Sequence, residues 1–380
     1  MKLKKLVKRK ICYGIVQPGF GNHEGVPVIK AGNIVTGLNR LEDLELATEA
    51  SARKYPRSTL NGGELVISLV GSVGKVAVVP NSFSGANLVR ATGLIDIEDN
   101  TLKYWVKYYI ESPEGQDYIR SNLNTTVQPT LNIKSLEEMD IPIIEEGTMK
   151  RTVSILRSIE DRLVNNALIN ENLSNQIQAI YSNTFDPTTH TPSGVLADIC
   201  SYSSDRIPVS ELSVSTYFST ENMQPNKMGS VDATSLPSIT QTTGCHKGDV
   251  LISNIRPYFK KIVYVTDDSC GCSTDVLCFV PKEDQYSAFL FGTLYMDRFF
   301  DYMVAGSKGT KMPRGDKQQI MNYPVVLPDK ESLDLFNGLV VPMLDQIATN
   351  RVESSRLAAL RDALLPKLMS GELDVSDIDL

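Results

Sequence analysis

Gly63-Glu-Leu-Val-Ile-Ser68 and Gly248-Asp-Val-Leu-Ile-Ser253 read as one short apolar strand written twice, 185 residues apart. Outward from it, Asp140-Ile-Pro-Ile-Ile144 matches Asn322-Tyr-Pro-Val-Val326 at an offset of 182. Asp161-Arg-Leu-Val-Asn-Asn166 matches Asp345-Gln-Ile-Ala-Thr-Asn350 at 184, and Leu173 matches Leu357 at the same offset. Four matches in order at nearly one spacing mark a duplication, and such self-similarity decides the architecture before any local reading.

Each copy runs through short β-like segments and loops and ends in one long helical segment. Glu64–Val70 and Lys75–Val79 are rich in β-branched residues and bounded by glycines, as strands are. Val250–Ser253, Lys261–Val265 and Asp275–Val280 repeat the pattern. Leu102–Ile110 and Ala288–Met296 predict matching helices, and the turn-rich run Asp186–Gly194 predicts a linker. The expected divisions are 1–145 and 187–328 for the two globular modules, 146–186 and 329–371 for the long helices, and 372–380 for an acidic tail.

Both long segments carry an apolar seam in alternating 3/4 steps. Met149, Leu156, Ile159, Leu163, Leu173, Ile177 and Ile180 form the first, interrupted at Asn166 and Asn170. Phe336, Val340, Met343, Ile347, Leu357 and Leu364 form the second, interrupted at Asn350 and Ser354, with Arg361 where Ile177 stood. A polar residue in such a seam costs stability but fixes register, because it needs a partner. Antiparallel pairing would bring the four polar positions together. The expected fold is therefore α+β, with two globular domains joined by an antiparallel, coiled-coil-like helix pair and a pseudo-twofold internal repeat. A helix of 35 residues spans on the order of 50 Å, so the pair would act as a spacer.

Composition excludes several classes. With 42% hydrophobic and 22% charged residues the chain is not disordered. No apolar run is long enough to cross a membrane. Met1–Lys10 lacks the apolar core of a secretory signal, so a cytoplasmic chain with reduced thiols is expected. Cys245, Cys270, Cys272 and Cys278 lack zinc spacing, and Cys278 reads as a buried strand residue. No Asn/Asp-Pro-Pro-Tyr/Phe methyltransferase tetrapeptide and no Gly-x-Gly-x-x-Gly occurs. Gly71–Lys75 departs from the phosphate-loop pattern at Leu69 and Val76 and reads as a turn between strands. His23, His190 and His246 stand in turn-like contexts without a catalytic constellation. The chain is expected to perform no chemistry and to hold no metal.

The second module carries Tyr217-Phe-Ser-Thr-Glu-Asn-Met-Gln-Pro-Asn-Lys227 and Gly248-Asp-Val-Leu-Ile-Ser-Asn-Ile-Arg-Pro-Tyr-Phe-Lys-Lys261, and the chain closes with Leu364-Leu-Pro-Lys-Leu-Met-Ser-Gly-Glu-Leu373. The first module adds Gly14-Ile-Val-Gln-Pro-Gly19, Val26-Pro-Val-Ile-Lys30 and Gln128-Pro-Thr-Leu-Asn-Ile133. In these stretches, and over essentially its whole length, the chain resembles the specificity subunits of type I restriction–modification enzymes. It departs in having few residues before Gly14. The resemblance implies two target recognition domains, each reading one half of an asymmetric, bipartite site in double-stranded DNA. It implies two methyltransferase subunits docked on the long helices, restriction–translocation subunits joining that core, and S-adenosylmethionine in the methyltransferase subunits with no cofactor in this chain. A two-headed protein scaffold without a DNA role is the competing reading.

Phosphate contacts should come from cations and base reading from side chains that reach base edges. In the second module Asn254, Arg256, Tyr258, Lys260 and Lys261 crowd one loop, and Lys308, Thr310, Lys311 and Arg314 a glycine-rich one. Arg256 or Arg314 could read guanine, Asn254 adenine, and Lys308 and Lys311 could hold phosphates. Thr220 and Asn222 are further candidates. Repeat alignment points in the first module to Ser72 and Lys75, and to Asn124, Thr125, Thr126 and Gln128, with Lys30, Asn33 and Arg90 beside them. The six cations of Lys2–Lys10 could add phosphate contacts or form a solvated tail. The net charge of −7 does not veto DNA binding. Residues 1–145 carry 17 cations against 16 anions and 190–328 carry 12 against 14, whereas 329–380 carry 5 against 10.

Overall fold

The computed structural model describes residues 1–19, 24–38, 40–125, 128–186 and 188–375. His23, Thr126 and the end of the acidic tail lie outside them. The chain divides into two compact units, Met1–Leu163 with Arg356–Leu380, and Val164–Ser355. Each long helix, Glu146–Phe185 and Lys330–Ser370, thus contributes one part to each unit.

In the first unit a four-stranded antiparallel sheet runs in the order Arg9–Tyr13, Thr92–Asp96, Leu65–Ser68, Val76–Val78. Leu65 and Ile67 face a core with Trp105, Val106, Met149, Leu156, Leu365 and Leu368. Val66 and Leu94 face a second core with Leu60, Phe83 and Leu88. Both faces are covered, which is why Leu65–Ser68 reads as continuously apolar rather than alternating. A three-stranded sheet lies in the same unit, with Val26–Ile29 parallel to Asn87–Leu88 and antiparallel to Glu45–Ala47. The helices Asn100–Glu111 and Pro113–Ser121 follow, started by Asp99 and Ser112, whose side chains accept backbone N–H groups of the first turn.

The second unit repeats the main sheet strand for strand: Cys200–Tyr202, Val276–Pro281, Val250–Ser253, Ile262–Tyr264. Val250 and Ile252 face the aromatic core of Phe279, Phe289 and Phe299, while Leu251 faces Cys245, Cys272 and Cys278. Tyr217–Phe218 runs parallel to Cys270–Cys272, as Val26–Ile29 does to Asn87–Leu88. The helix pair recurs as Ser287–Tyr295 and Asp297–Ala305.

The polar seam positions meet. Asn166 donates its amide to Glu353 Oε2 at 2.7 Å and to Ser354 Oγ at 3.2 Å. Asn350 donates to Asn170 Oδ1 at 2.8 Å and accepts from Gln346 at 2.7 Å. Within this unit Tyr181 and Phe185 stack edge-on with Phe336, so the two helices run antiparallel. The seam register differs from the sequence reading in detail. Tyr181 and Phe185 are buried where Ile180 is half-buried, and Leu344 is buried where Met343 is half-buried. These residues pack against the globular core as well as the partner helix, so their spacing follows the i, i+4 ridge instead of the heptad.

The N-terminus is no solvated tail. Leu3 is fully buried, its N–H donates to Met139 O at 2.9 Å, and Arg9 opens the main sheet. Lys2 pairs with Asp140, Lys4 with Glu138, and Arg9 with both Glu64 and Asp96. Gly14 is required where this strand leaves the sheet, since a Cβ there would lie 2.1 Å from the Leu88 carbonyl carbon.

Candidate nucleic-acid interface

One set of backbone hydrogen bonds gathers the candidate loops in each unit. In the first, Val89 N–H donates to Ile29 O, Leu69 N–H to Ala91 O, and Leu131 N–H to Leu69 O, at 3.2, 2.8 and 2.9 Å. In the second, Ser273 N–H donates to Phe218 O, Asn254 N–H to Asp275 O, and Gly315 N–H to Asn254 O, at 2.8, 2.8 and 3.3 Å. Val70 bridges Thr130 as Ile255 bridges Arg314. Segments far apart in the chain thus form one edge, built the same way twice.

On the edge of the first unit, Ser72, Lys75, Arg90, Asn124 and Gln128 are exposed. The Gly71–Lys75 turn is closed by Ser68, whose hydroxyl donates to Ser72 O and accepts from Lys75 N–H at 3.0 Å. Lys30 is half-buried, at 2.5 Å from Glu45 Oε2, and Asn33 accepts the Lys30 N–H, so Asn33 is spent on the start of its own short helix. Thr125 lies in the strand Leu123–Thr125, which pairs with Pro129–Leu131.

The second unit's edge is richer in cations, and most of them are held. Arg314 pairs with Asp275 at 2.9 Å, Lys308 with Asp316 at 2.5 Å, and Lys260 with Asp297 at 3.0 Å. Thr310 and Lys311 are exposed between Lys308 and Arg314, whose backbones hydrogen-bond to each other in both directions. Tyr258 and Phe259 are 48% and 40% exposed with ring centroids 4.7 Å apart, an aromatic pair presented to solvent. Arg256 and Lys260 flank this turn in the left-handed region, with φ of 51° each. Residues other than glycine held there carry strain, which collects at functional sites.

Three candidates are turned inward. Asn222 is buried, donating to Tyr217 O and Val231 O and accepting from Ser219, so it organises its loop and has no capacity left for a base. Asn254 takes the position of the buried Leu69 and is itself buried beneath Gly315. Lys261 points back to Thr220 O at 2.5 Å, and burial pushes its pKa down. Thr220 is half-buried and engaged through that carbonyl.

Sequence reasoning passed over Lys227. Its ammonium sits 2.7 Å from Asp297 and 4.6 Å above the Tyr295 ring, and its backbone N–H donates to Lys260 O. The cue was its place at the end of the quoted 217–227 stretch.

Residues 16–179 match the type I restriction modification DNA specificity domain. The chain is 28% identical over 185 residues to the type I restriction enzyme EcoBI specificity subunit of Escherichia coli, covering 47% of this chain and 38% of that protein. It is 37% identical over 76 residues to the MjaIX specificity subunit of Methanocaldococcus jannaschii, covering 20% and 18%. The matched stretches therefore span well under two thirds of these relatives. The type I restriction–modification S subunit from M. genitalium shares the fold, with a TM-score of 0.58 at 14% identity over 97% of this chain and 95% of that one. A duplicated α+β chain whose residues 16–179 resemble a type I restriction DNA specificity domain is thereby defined. In the matched stretches it is similar to type I restriction specificity subunits. Among the described residues no helix is long and apolar enough to cross a membrane.

Proposed function

We propose that the chain selects the DNA site for a type I restriction–modification complex, each unit's edge reading one half of an asymmetric, bipartite sequence. The repeated hydrogen-bond scheme that brings equivalent loops to one edge in both units carries this reading. In the second unit Arg256, Lys308, Lys311 and Arg314 would meet phosphates or guanine edges beside Tyr258. In the first, Lys75 and Arg90 would hold phosphates and Asn124 and Gln128 would read bases. The cations' present carboxylate partners do not oppose this. Exposed ion pairs are worth about 0–1 kcal/mol and can be exchanged for phosphates.

The chain itself would be non-catalytic and cytoplasmic. Methyltransferase subunits that bind S-adenosylmethionine would dock on the long helices, where Val164, Leu168 and Ile169 are exposed, and restriction subunits would join them. As a working division, 1–145 and 187–328 are the readers, 146–186 and 329–371 the helices, and 372–380 the tail. Methylation profiling of host DNA with and without the gene tests the reading, since it reports both half-sites and their spacing. Exchange of 195–328 for the same segment of another family member should alter one half-site only. Alteration of both halves would sink the two-reader proposal.

A further inference from the structure

A cavity of about 10 Å³ lies within the second unit, lined by Lys227, Tyr264, Phe291, Tyr295, Leu344 and Arg351 among others. It has room for about one water-sized group and is partly open to solvent. Two cations face it. Lys227 is held over the Tyr295 ring, and Asp297, which pairs with it, is shared with Lys260. Asp301 adds a weaker attraction on Lys227.

Arg351 comes from the second long helix. Among the described residues its guanidinium has no ion pair or hydrogen bond. Gly229, at φ +83°, makes the space for it: a Cβ there would stand 2.6 Å from Arg351 Nη2. Tyr295 lines the cavity beside it. Burial pushes the Arg351 pKa down, against the pull of Tyr295, and no carboxylate offsets it. A half-buried guanidinium without an anion favours any oxyanion that can reach it.

We propose that this cavity receives the carboxylate of an acidic side chain from a partner protein docked on the long helices, with Arg351 as its fork-shaped partner and Lys227 as the second cation. One carboxylate oxygen would enter the space while the second stays at its open mouth, where the guanidinium fork can still reach it. The apolar walls of Phe291 and Leu344 suit the methylenes behind it. The space holds one oxygen and little more, so a free acid would bury too few atoms to bind tightly. The occupant must draw the rest of its contact from outside the cavity, and Val352 stands exposed next to Arg351. The inference rests on the docking of a partner to the helices proposed above.

The test uses the full-length chain and sodium propionate as the probe, compared with sodium chloride at equal ionic strength. Propionate should raise the melting temperature saturably in the wild type and not in Arg351→Gln. Arg351→Lys, which keeps the charge and loses the fork, should fold as judged by circular dichroism and respond weakly. Assembly with the methyltransferase subunit should weaken about tenfold or more in Arg351→Gln, and likewise in saturating propionate. No propionate-specific rise, or an equal rise in Arg351→Gln, overturns the cavity assignment. Propionate binding that leaves assembly untouched overturns the side-chain source. A wild-type chain that does not assemble at all overturns the helix-docking reading, while the propionate arm still reports on the cavity.

Discussion

Asn350 donates its side-chain amide to Asn170 Oδ1 at 2.8 Å across 180 residues of chain. Asn350 is 3% exposed, and Gln346 donates to its oxygen, so both ends of the amide are engaged. Replacement by leucine leaves Asn170 and Gln346 facing an apolar group. Asn350→Leu should lower stability by about 1–3 kcal/mol. Asn170→Leu with Asn350→Leu should recover part of that loss, because removing both polar partners is less costly than orphaning one. Chemical denaturation of the single and double variants checks this. A double variant as damaged as the sum of the singles would contradict the shared network.

Charge reversal separates DNA reading from scaffolding. Arg256→Glu with Lys308→Glu should abolish sequence-specific DNA binding while leaving assembly intact. Lys308 is 81% exposed and its ion pair is weak, so Lys308→Gln alone should shift stability by under about 0.5 kcal/mol. It should also reduce the slope of log affinity against log salt by about one. Binding titrations at several salt concentrations read both effects, and an unchanged slope would remove Lys308 from the phosphate contacts.

The Gly14 backbone abuts Leu88, and Ile15 N–H donates to Leu88 O at 2.7 Å. An added methyl has nowhere to go except by separating these segments. Gly14→Ala should cost about 3 kcal/mol by forcing that shift. A melt within a degree of the wild type would show that the strand can move.

His246 links two acidic loops, with Nδ1 2.9 Å from Asp268 O and Nε2 3.2 Å from Asp205. The Asp268 carbonyl, and then Asp205, raise its pKa above the usual 6.5. A raised folded-state pKa means the contribution is fully present below about 6.5 and is lost as pH rises through the folded value. Thermal stability of the second unit should therefore decline slightly from pH 6 to pH 8, and His246→Asn should flatten that decline. An identical pH profile in the variant would count against it.

The duplication, the two apolar strands and the polar helix centres were legible because they are local and periodic. Leu65–Ser68 and Val250–Ser253 are strands buried on both faces, which a short apolar run announces. Asn166 and Asn350 interrupt seams whose spacing is set by the helix itself. The inward turn of Asn254 and Asn222 was not legible. Asn254 is covered only because Gly315, 61 residues later, folds over it, and Asn222 is used up by Tyr217 and Val231.

Sequence alone determined the repeat, the strand and helix order, and which loops hold amides and cations, since each follows from periodicity and composition. Tertiary structure decided which of those side chains face outward. It also decided which cations already have carboxylates, and that Arg351 has none among the described residues. Those outcomes depend on hydrogen bonds and ion pairs between segments distant in the chain, and no local pattern encodes them.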